Sequence, residues 1–298
     1  MLNQFFSIRA LSPVHCGIGQ GLNDIDLPTA RNSVSGHPII PASTIKGVLK
    51  DYFLCERKDE EDKVKSLFGH DSGDFASAAS IGDANLVALP VRSFFGTFAY
   101  LCSPYTLFQL KNLFKRAVSE YDYPQIPDSG LTEKNNYKVM LTKNSLLKRT
   151  NHNMVLFEEM DLLIDKDSSL ADKWAEVIAP LYFEDIEGQE IFKKRFAIVD
   201  DNTLNFCCTT CLPVDARIAI DDETGTVKEG ALWYEETVPP ETLFAGVAGI
   251  DRSYCKEAYY SDEELKNFFT KSQSIDIQVG GKATTGKGFV SLKFNNLK

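Results

Sequence analysis

Short β-rich runs and amphipathic helical stretches follow one another along this chain without regular βα alternation, and long loops separate the apolar strands. A doubly wound parallel sheet needs a helix after each strand, so this order favours an α+β fold built on antiparallel pairing. Residues 3–11 read as a strand, 12–40 as an irregular loop, and 43–56 as a helix entered through Pro41 with Ser43 or Thr44 as its cap. Ile81 to Leu89 and Val91 to Leu101 read as strands bent at Pro90. Ser103 followed by Pro104 opens a helix with Leu107, Leu110, Leu113, Phe114 and Val118 on one face. The polar stretch over about 120–150, with Pro124, Pro127 and Gly130, reads as an exposed insertion.

Further along, Met154 to Ile164 is strand-like, Ser168 to Ile178 helical, and Ala197 to Val199 a short buried strand followed by a helical segment with Cys207, Cys208 and Cys211. Val214 to Ile220 and Ala231 to Thr237 flank the turn composition of Asp221 to Thr226, which makes a long hairpin. Ser261 and Glu264 form a capping box for a helix to about Gln273. Ile275 to Val279 and Phe289 to Phe294 are strands joined by a glycine loop. With no internal repeat and nothing that looks like a linker, residues 1–298 read as one elaborated domain.

The 43% apolar and 25% charged composition supports a sizeable core and argues against disorder. No apolar run reaches the ~18 residues of a membrane span. Met1 is followed by Leu2, Asn3 and Gln4 rather than by a basic segment and an apolar signal core, so the expectation is a soluble, cytoplasmic protein. Seven scattered cysteines fit a reducing compartment. The Cys207-Cys208-Cys211 cluster has no histidine near it in sequence, since His15, His37, His70 and His152 all lie far off, so a buried helix face is preferred to a zinc site.

The net charge of −10 argues against broad, nonspecific nucleic-acid binding. Acid concentrates in 59–62, 158–161, 221–223 and 262–264, whereas two glycine-rich loops have lysines in or near them. The first runs from His15 to Gly21 and leads to Asp24 and Asp26. It is followed by Pro41 to Lys50 with Lys46, Gly47 and Lys50, and the second loop is Gly280 to Gly288. Gly281 to Lys287 satisfies most of a phosphate-loop pattern, but Gly288 stands where Ser or Thr should hold magnesium, and β-rich sequence follows. Gly17, Gly19 and Gly21 lack the strand-turn-helix context of a dinucleotide site. Either loop alone is also explained by glycines in tight turns. Two such loops with lysines and one nearby acid point instead to a phosphate backbone as ligand.

Several of these segments carry a resemblance. Pro41 to Lys50 resembles the helix-opening motif of RAMP proteins, the RNA-binding subunits of CRISPR effector complexes, and Gly280 to Gly288 resembles their C-terminal glycine-rich loop. Asp26-Leu27-Pro28, Leu89 to Ser93 with Gly96 and Phe98 to Tyr100, and Gly230 to Glu236 running on to Pro240 to Phe244 resemble the repeated backbone subunit of type III-B (Cmr) complexes. The likeness runs from about residue 5 to 294. It implies an α+β fold with an RRM-like, ferredoxin-like RAMP palm, a β-hairpin thumb over about 214–245 and inserted helical or loop segments. It also implies copies of the chain stacked along a guide RNA, other effector subunits and single-stranded target RNA as partners; no membrane partner is expected, because no apolar run is long enough to span one.

The same resemblance implies endoribonuclease chemistry at Asp26, with the RNA 2′-hydroxyl as nucleophile and magnesium or a similar divalent ion held by Asp26 together with RNA oxygens. His15 is a candidate proton donor or phosphate contact, because histidine titrates near working pH. Glu235 and Tyr234, at the end of the hairpin, are further catalytic candidates. The alternatives are a turn-forming Asp26, a structural His15 and strand-surface roles for the last two; Asp24 is the weaker acid candidate. Guide binding would use Lys46 and Lys50, one helical turn apart, with Arg31 and Arg217. Gly281, Lys282, Thr284, Thr285, Gly286 and Lys287 would supply a cradle of backbone amides and side chains. Trp233 would stack on a split base pair or sit in the hairpin's apolar contact. A structural, non-catalytic RNA-holding subunit is the alternative function, and a stand-alone metabolic enzyme a third.

Overall fold

The computed structural model describes residues 1–21, 25–70, 73–118, 120–128, 132–133, 136–149, 152–255 and 258–297. Alternation divides strand β1 (Leu2–Ala10) between two cores, with Phe6, Ile8 and Ala10 facing one and Phe5 the other. The two-residue β2 (Ile39–Ile40) leads into helix α1 (Ala42–Glu56), which buries Ile45, Leu49 and Phe53 at helical spacing. Neither Ser43 nor Thr44 caps it. Pro41 occupies the cap position without a side-chain bond, and Asp83 Oδ1, distant in sequence, accepts the Ala42 N–H at 2.8 Å.

Helix α2 (Glu61–Phe68) and β3 (Ala79–Ile81) precede β4 (Ala84–Arg92). Pro90 does not end β4, which runs on to Arg92. It lies beyond the stretch that pairs with Leu243–Ala245, so on that side its missing N–H leaves no ladder bond unmade. Residues 93–97 turn the chain into β5 (Phe98–Cys102), and Ser103, in a capping box with Thr106, starts α3 (Pro104–Ala117). Then come β6 (Thr132–Glu133), β7 (Asn136–Leu141), β8 (Met154–Phe157) and β9 (Met160–Ile164). The single strand expected over 154–164 is a hairpin that turns at Glu158, whose φ is 50°. Helix α4 (Ser169–Tyr182) runs through Pro180. The short α5 (Ile186–Lys193) was not expected from the sequence.

Strand β10 (Phe196–Val199) is followed by α6 (Asp201–Thr210), capped by Asp200 and burying Cys207 and Cys208. The hairpin is β11 (Val214–Ile220) with β12 (Val227–Glu236), and β13 (Leu243–Ile250), α7 (Asp262–Phe269), β14 (Ser274–Gln278) and β15 (Phe289–Asn295) complete the chain.

The main sheet runs β14-β15-β1-β13-β4-β5-β10-β7-β9-β8 and is antiparallel except for β5 with β10 and β7 with β9. Its last strand curls back to β4: Phe157 bridges Ser93, and the Phe94 N–H reaches Leu156 O at 3.1 Å. The strip from β4 to β8 thus closes around Leu89, Leu101, Val139, Val155, Phe157 and Val199. The expected insertion over 120–150 is therefore not wholly exposed. Among its described residues, β7 lies inside the sheet beside β10, because Val139 and Leu141 are needed to fill this interior.

Both faces of the sheet are covered. Residues of α1, α2, α6 and α7 fill one core and those of α3, α4 and α5 the other. Among the described strands, β11 and β12 form a separate two-stranded ribbon. No helix among the described residues is long and apolar enough to cross a membrane.

Candidate nucleic-acid interface

The two glycine loops meet. The Gly281 N–H donates to His15 O and the Gly288 N–H to Pro13 O, both at 2.8 Å. Gly280 has a φ of +77°, and a Cβ there would strike His15 O, so the loops can approach this closely only because that position carries no side chain.

The expected cradle of freed amides is not what this contact builds. The Thr285 and Lys287 N–H groups donate to Lys282 O, Gly286 N–H to Ala283 O, and the Thr285 hydroxyl to Lys282 O at 2.8 Å. A tight 3₁₀ turn over Ala283–Thr285 consumes these donors internally. Gly281, Thr284, Thr285 and Gly286 remain exposed, and Lys282 is partly so.

Lys287 is turned inward. Its Nζ lies 2.5 Å from Glu235 Oε1 and 3.3 Å from Asp215 Oδ2, with 5% of the side chain exposed. Lys282 Nζ reaches Glu235 Oε2 at 3.3 Å and sits 5.8 Å from the centre of the Trp233 ring. Burial alone would raise the Glu235 pKa, but the hydrogen bonds and charges of Lys287 and Lys282 outweigh it and hold the carboxyl below its ordinary range. Glu235 and Lys287 thus pin the second loop to the root of the hairpin instead of presenting free groups to a ligand. Trp233 stands opposite Arg217 in the ribbon, and its buried Nε1 has no hydrogen-bond partner among the described residues. Arg217 bonds Asp215 at 3.4 Å.

Asp26 is exposed and its position is set by backbone. Its Oδ2 accepts the Tyr234 N–H at 2.7 Å, the Leu27 N–H donates to Tyr234 O, and the Glu236 N–H donates to Leu27 O, both at 3.0 Å. The Asp26 segment is therefore zipped in parallel to the end of β12, and Tyr234 contributes its main chain to that contact. Asp24 lies outside the described residues.

Two other candidates are structural struts. His15 is 5% exposed, and its Nδ1 bonds Glu236 O at 2.8 Å; a carbonyl only accepts, so Nδ1 carries the hydrogen. Arg31 is spent on protein acceptors: Glu236 Oε1 at 2.6 Å, Gly36 O at 2.9 Å and Cys208 O at 2.8 Å. Lys46 and Lys50 stand apart from this cluster on α1, which packs against β14, the strand that feeds the second loop. Burial and then the neighbouring Lys50 charge lower the Lys46 pKa, and their i, i+4 spacing on α1 puts both on one side of the helix.

Glu236 went unnoticed in the sequence. The available signal was the Glu235-Glu236 doublet ending a strand: successive residues point to opposite faces, so each acid needs its own cationic partner if both are buried. Both are, at 1% and 3% exposure.

The RAMP superfamily profile matches residues 7–291. The chain belongs to the RAMP superfamily. This RAMP chain is 31% identical over 297 residues to the CRISPR system Cmr endoribonuclease Cmr4 of Pyrococcus furiosus, covering 96% of its own length and 93% of the relative's. Oligomeric Cmr4 from Pyrococcus furiosus superposes with a TM-score of 0.75 at 25% identity, with 100% of both chains covered. A chain of the type III-B Cmr-beta assembly bound to cognate target RNA matches the fold, with a TM-score of 0.73 at 22% identity over 99% of this chain and 97% of that one.

Proposed function

We propose that this RAMP chain is the repeated, guide-RNA-holding backbone subunit of a type III-B effector complex and that it cuts guide-paired target RNA. The single observation that carries the catalytic part is the exposed Asp26 carboxylate, held by the Tyr234 N–H at the root of a ribbon that stands off from the body. The likeness to a Cmr endoribonuclease over nearly the whole chain supports the reading. The protein works in the cytoplasm with guide RNA, target RNA, further copies of itself and other effector subunits.

RNA carries its own nucleophile. The 2′-hydroxyl attacks the adjacent phosphorus, the 2′-O–P bond forms as the P–O5′ bond breaks, and the products are a 2′,3′-cyclic phosphate and a 5′-hydroxyl. Asp26 takes the 2′-hydroxyl proton, and water protonates the departing 5′-oxygen. The ribbon splays the guide-target pairing beside Asp26 so that the sugar can turn in line with the phosphorus.

Among the described residues no group of three or more His, Cys, Asp or Glu could hold a metal. A divalent ion here would have Asp26 as its protein donor and RNA oxygens and water as the rest of its shell, and no step above runs through it.

The test is the guide-loaded assembly carrying Asp26→Asn. Guide binding and assembly are retained and cleavage is lost. Full-rate cleavage by this variant would leave the chain as an RNA-holding subunit whose chemistry lies elsewhere.

A further inference from the structure

We propose that Glu236 is the positioning residue that sets Asp26 against the scissile bond, an inference that rests on the nuclease reading above. Asp26 has one side-chain tie to the ribbon, the Tyr234 N–H. The segment behind it shares backbone bonds with its neighbours, Gly21 N–H to Asp26 O, Leu27 N–H to Tyr234 O and Ala30 N–H to Cys16 O, and Glu236 adds the side-chain ties to it. The Glu236 N–H donates to Leu27 O at 3.0 Å, its Oε2 accepts the Thr29 N–H at 3.0 Å, and its Oε1 accepts from Arg31 at 2.6 Å. Positions 27, 29 and 31 are thus all registered on one side chain and its peptide. The Glu236 carbonyl also takes the His15 Nδ1–H, so the first glycine loop is keyed to the same residue.

The chemistry explains why an acid is needed there. A carboxylate 3% exposed requires a charge partner, and Arg31 supplies it while its other N–H groups hold Gly36 O and Cys208 O at the end of α6. The Asp26 segment is thereby tied to the helical body on one side and to the ribbon on the other. Removing the negative charge leaves Arg31 half-buried with an unanswered charge, and the segment loses its side-chain ties while its backbone bonds remain. A displacement of about 1 Å is enough to cost an aligned reaction on the order of 100-fold.

The experiment uses the guide-loaded assembly under single-turnover conditions with Glu236→Gln, which keeps one acceptor for the Thr29 N–H and removes the charge together with the oxygen that accepts from Arg31. The expected result is a cleavage rate at saturating target reduced about tenfold or more, with the half-saturating target concentration and guide occupancy within about twofold of wild type. Arg31→Gln is expected to give the same split, and the double variant to be no worse than either single one, because the two residues act as a unit. Should Glu236→Gln fail to load guide, Arg31→Gln alone decides: full-rate cleavage by it overturns the proposal. A rate and affinity that fall together, or a full rate in Glu236→Gln, also overturn it. A wild-type assembly that does not cut at all defeats the nuclease reading itself, whereas a wild type that cuts alongside an equally active Glu236→Gln defeats only this inference.

Discussion

Lys287 and Glu235 form a buried ion pair across the root of the hairpin, Nζ to Oε1 2.5 Å, with 5% and 2% of their side chains exposed. The pair joins the second glycine loop to β12, and Asp215 and Lys282 flank it. Lys287→Met leaves the Glu235 charge with Lys282 alone and is expected to destabilise the protein by about 3 kcal/mol, measured as a lower urea midpoint. The pH dependence has a definite sign. The Glu235 pKa is lower folded than its ordinary value of 4.5, so its contribution is present above that value and is lost as pH falls below it through the folded pKa. The Lys287→Met variant should show a shallower loss of stability in acid than the wild type.

The partly exposed Lys282 and the inward Lys287 should differ in how they affect guide affinity under salt titration. Neutralising one phosphate contact to a single strand lowers the slope of log affinity against log salt by about 0.7. Lys282→Ala and Lys46→Ala are each expected to show that change by fluorescence anisotropy with a labelled guide. Lys287→Met is expected to leave the slope unaltered, since its Nζ is buried between Glu235 and Asp215 whereas Lys282 is partly open to solvent.

Gly280→Ala tests the meeting of the loops. The new methyl would strike His15 O at a φ of +77°, a clash against backbone that no rotamer change relieves. A loss of about 1–3 kcal/mol in unfolding free energy is expected, with weaker guide binding. A variant of wild-type stability would show that the loops separate at little cost.

His37 is expected to make the stability of the fold depend on pH below neutrality. It is 4% exposed, its Nδ1 has no partner, and its ring lies 5.9 Å from that of Tyr105. Burial lowers its pKa from 6.5, with Arg31 adding to the effect and Asp201 opposing it. A depressed pKa means that the unfolded chain binds the proton more readily, so stability falls as pH drops below 6.5. Urea midpoints at about pH 7.5 and 5.5 should separate for the wild type and converge for His37→Gln.

The elements legible in the sequence are those whose causes are local. Ser103 before Pro104 and the Ser261-Glu264 box cap their helices as their spacing demands, and the two β-rich runs around Asp221 to Thr226 pair as a ribbon. The elements misread depend on distant partners. The polar surroundings of β7 hide a strand whose place is set by pairing with β10, and α1 is capped by Asp83 rather than by Ser43 or Thr44.

The candidate site divides the same way. The sequence by itself determined that two glycine loops, an acid before Leu27-Pro28 and a hairpin exist, because glycine conformational freedom, turn chemistry and strand alternation act over a few residues. Only the tertiary structure decided which charges face a ligand and which face each other. Lys287 is 52 residues from Glu235 and Arg31 is 205 from Glu236, and a buried charge must find an opposite one wherever the fold brings it. That requirement turned an expected phosphate-binding lysine and arginine into internal struts, and left Asp26 exposed at the joint they hold.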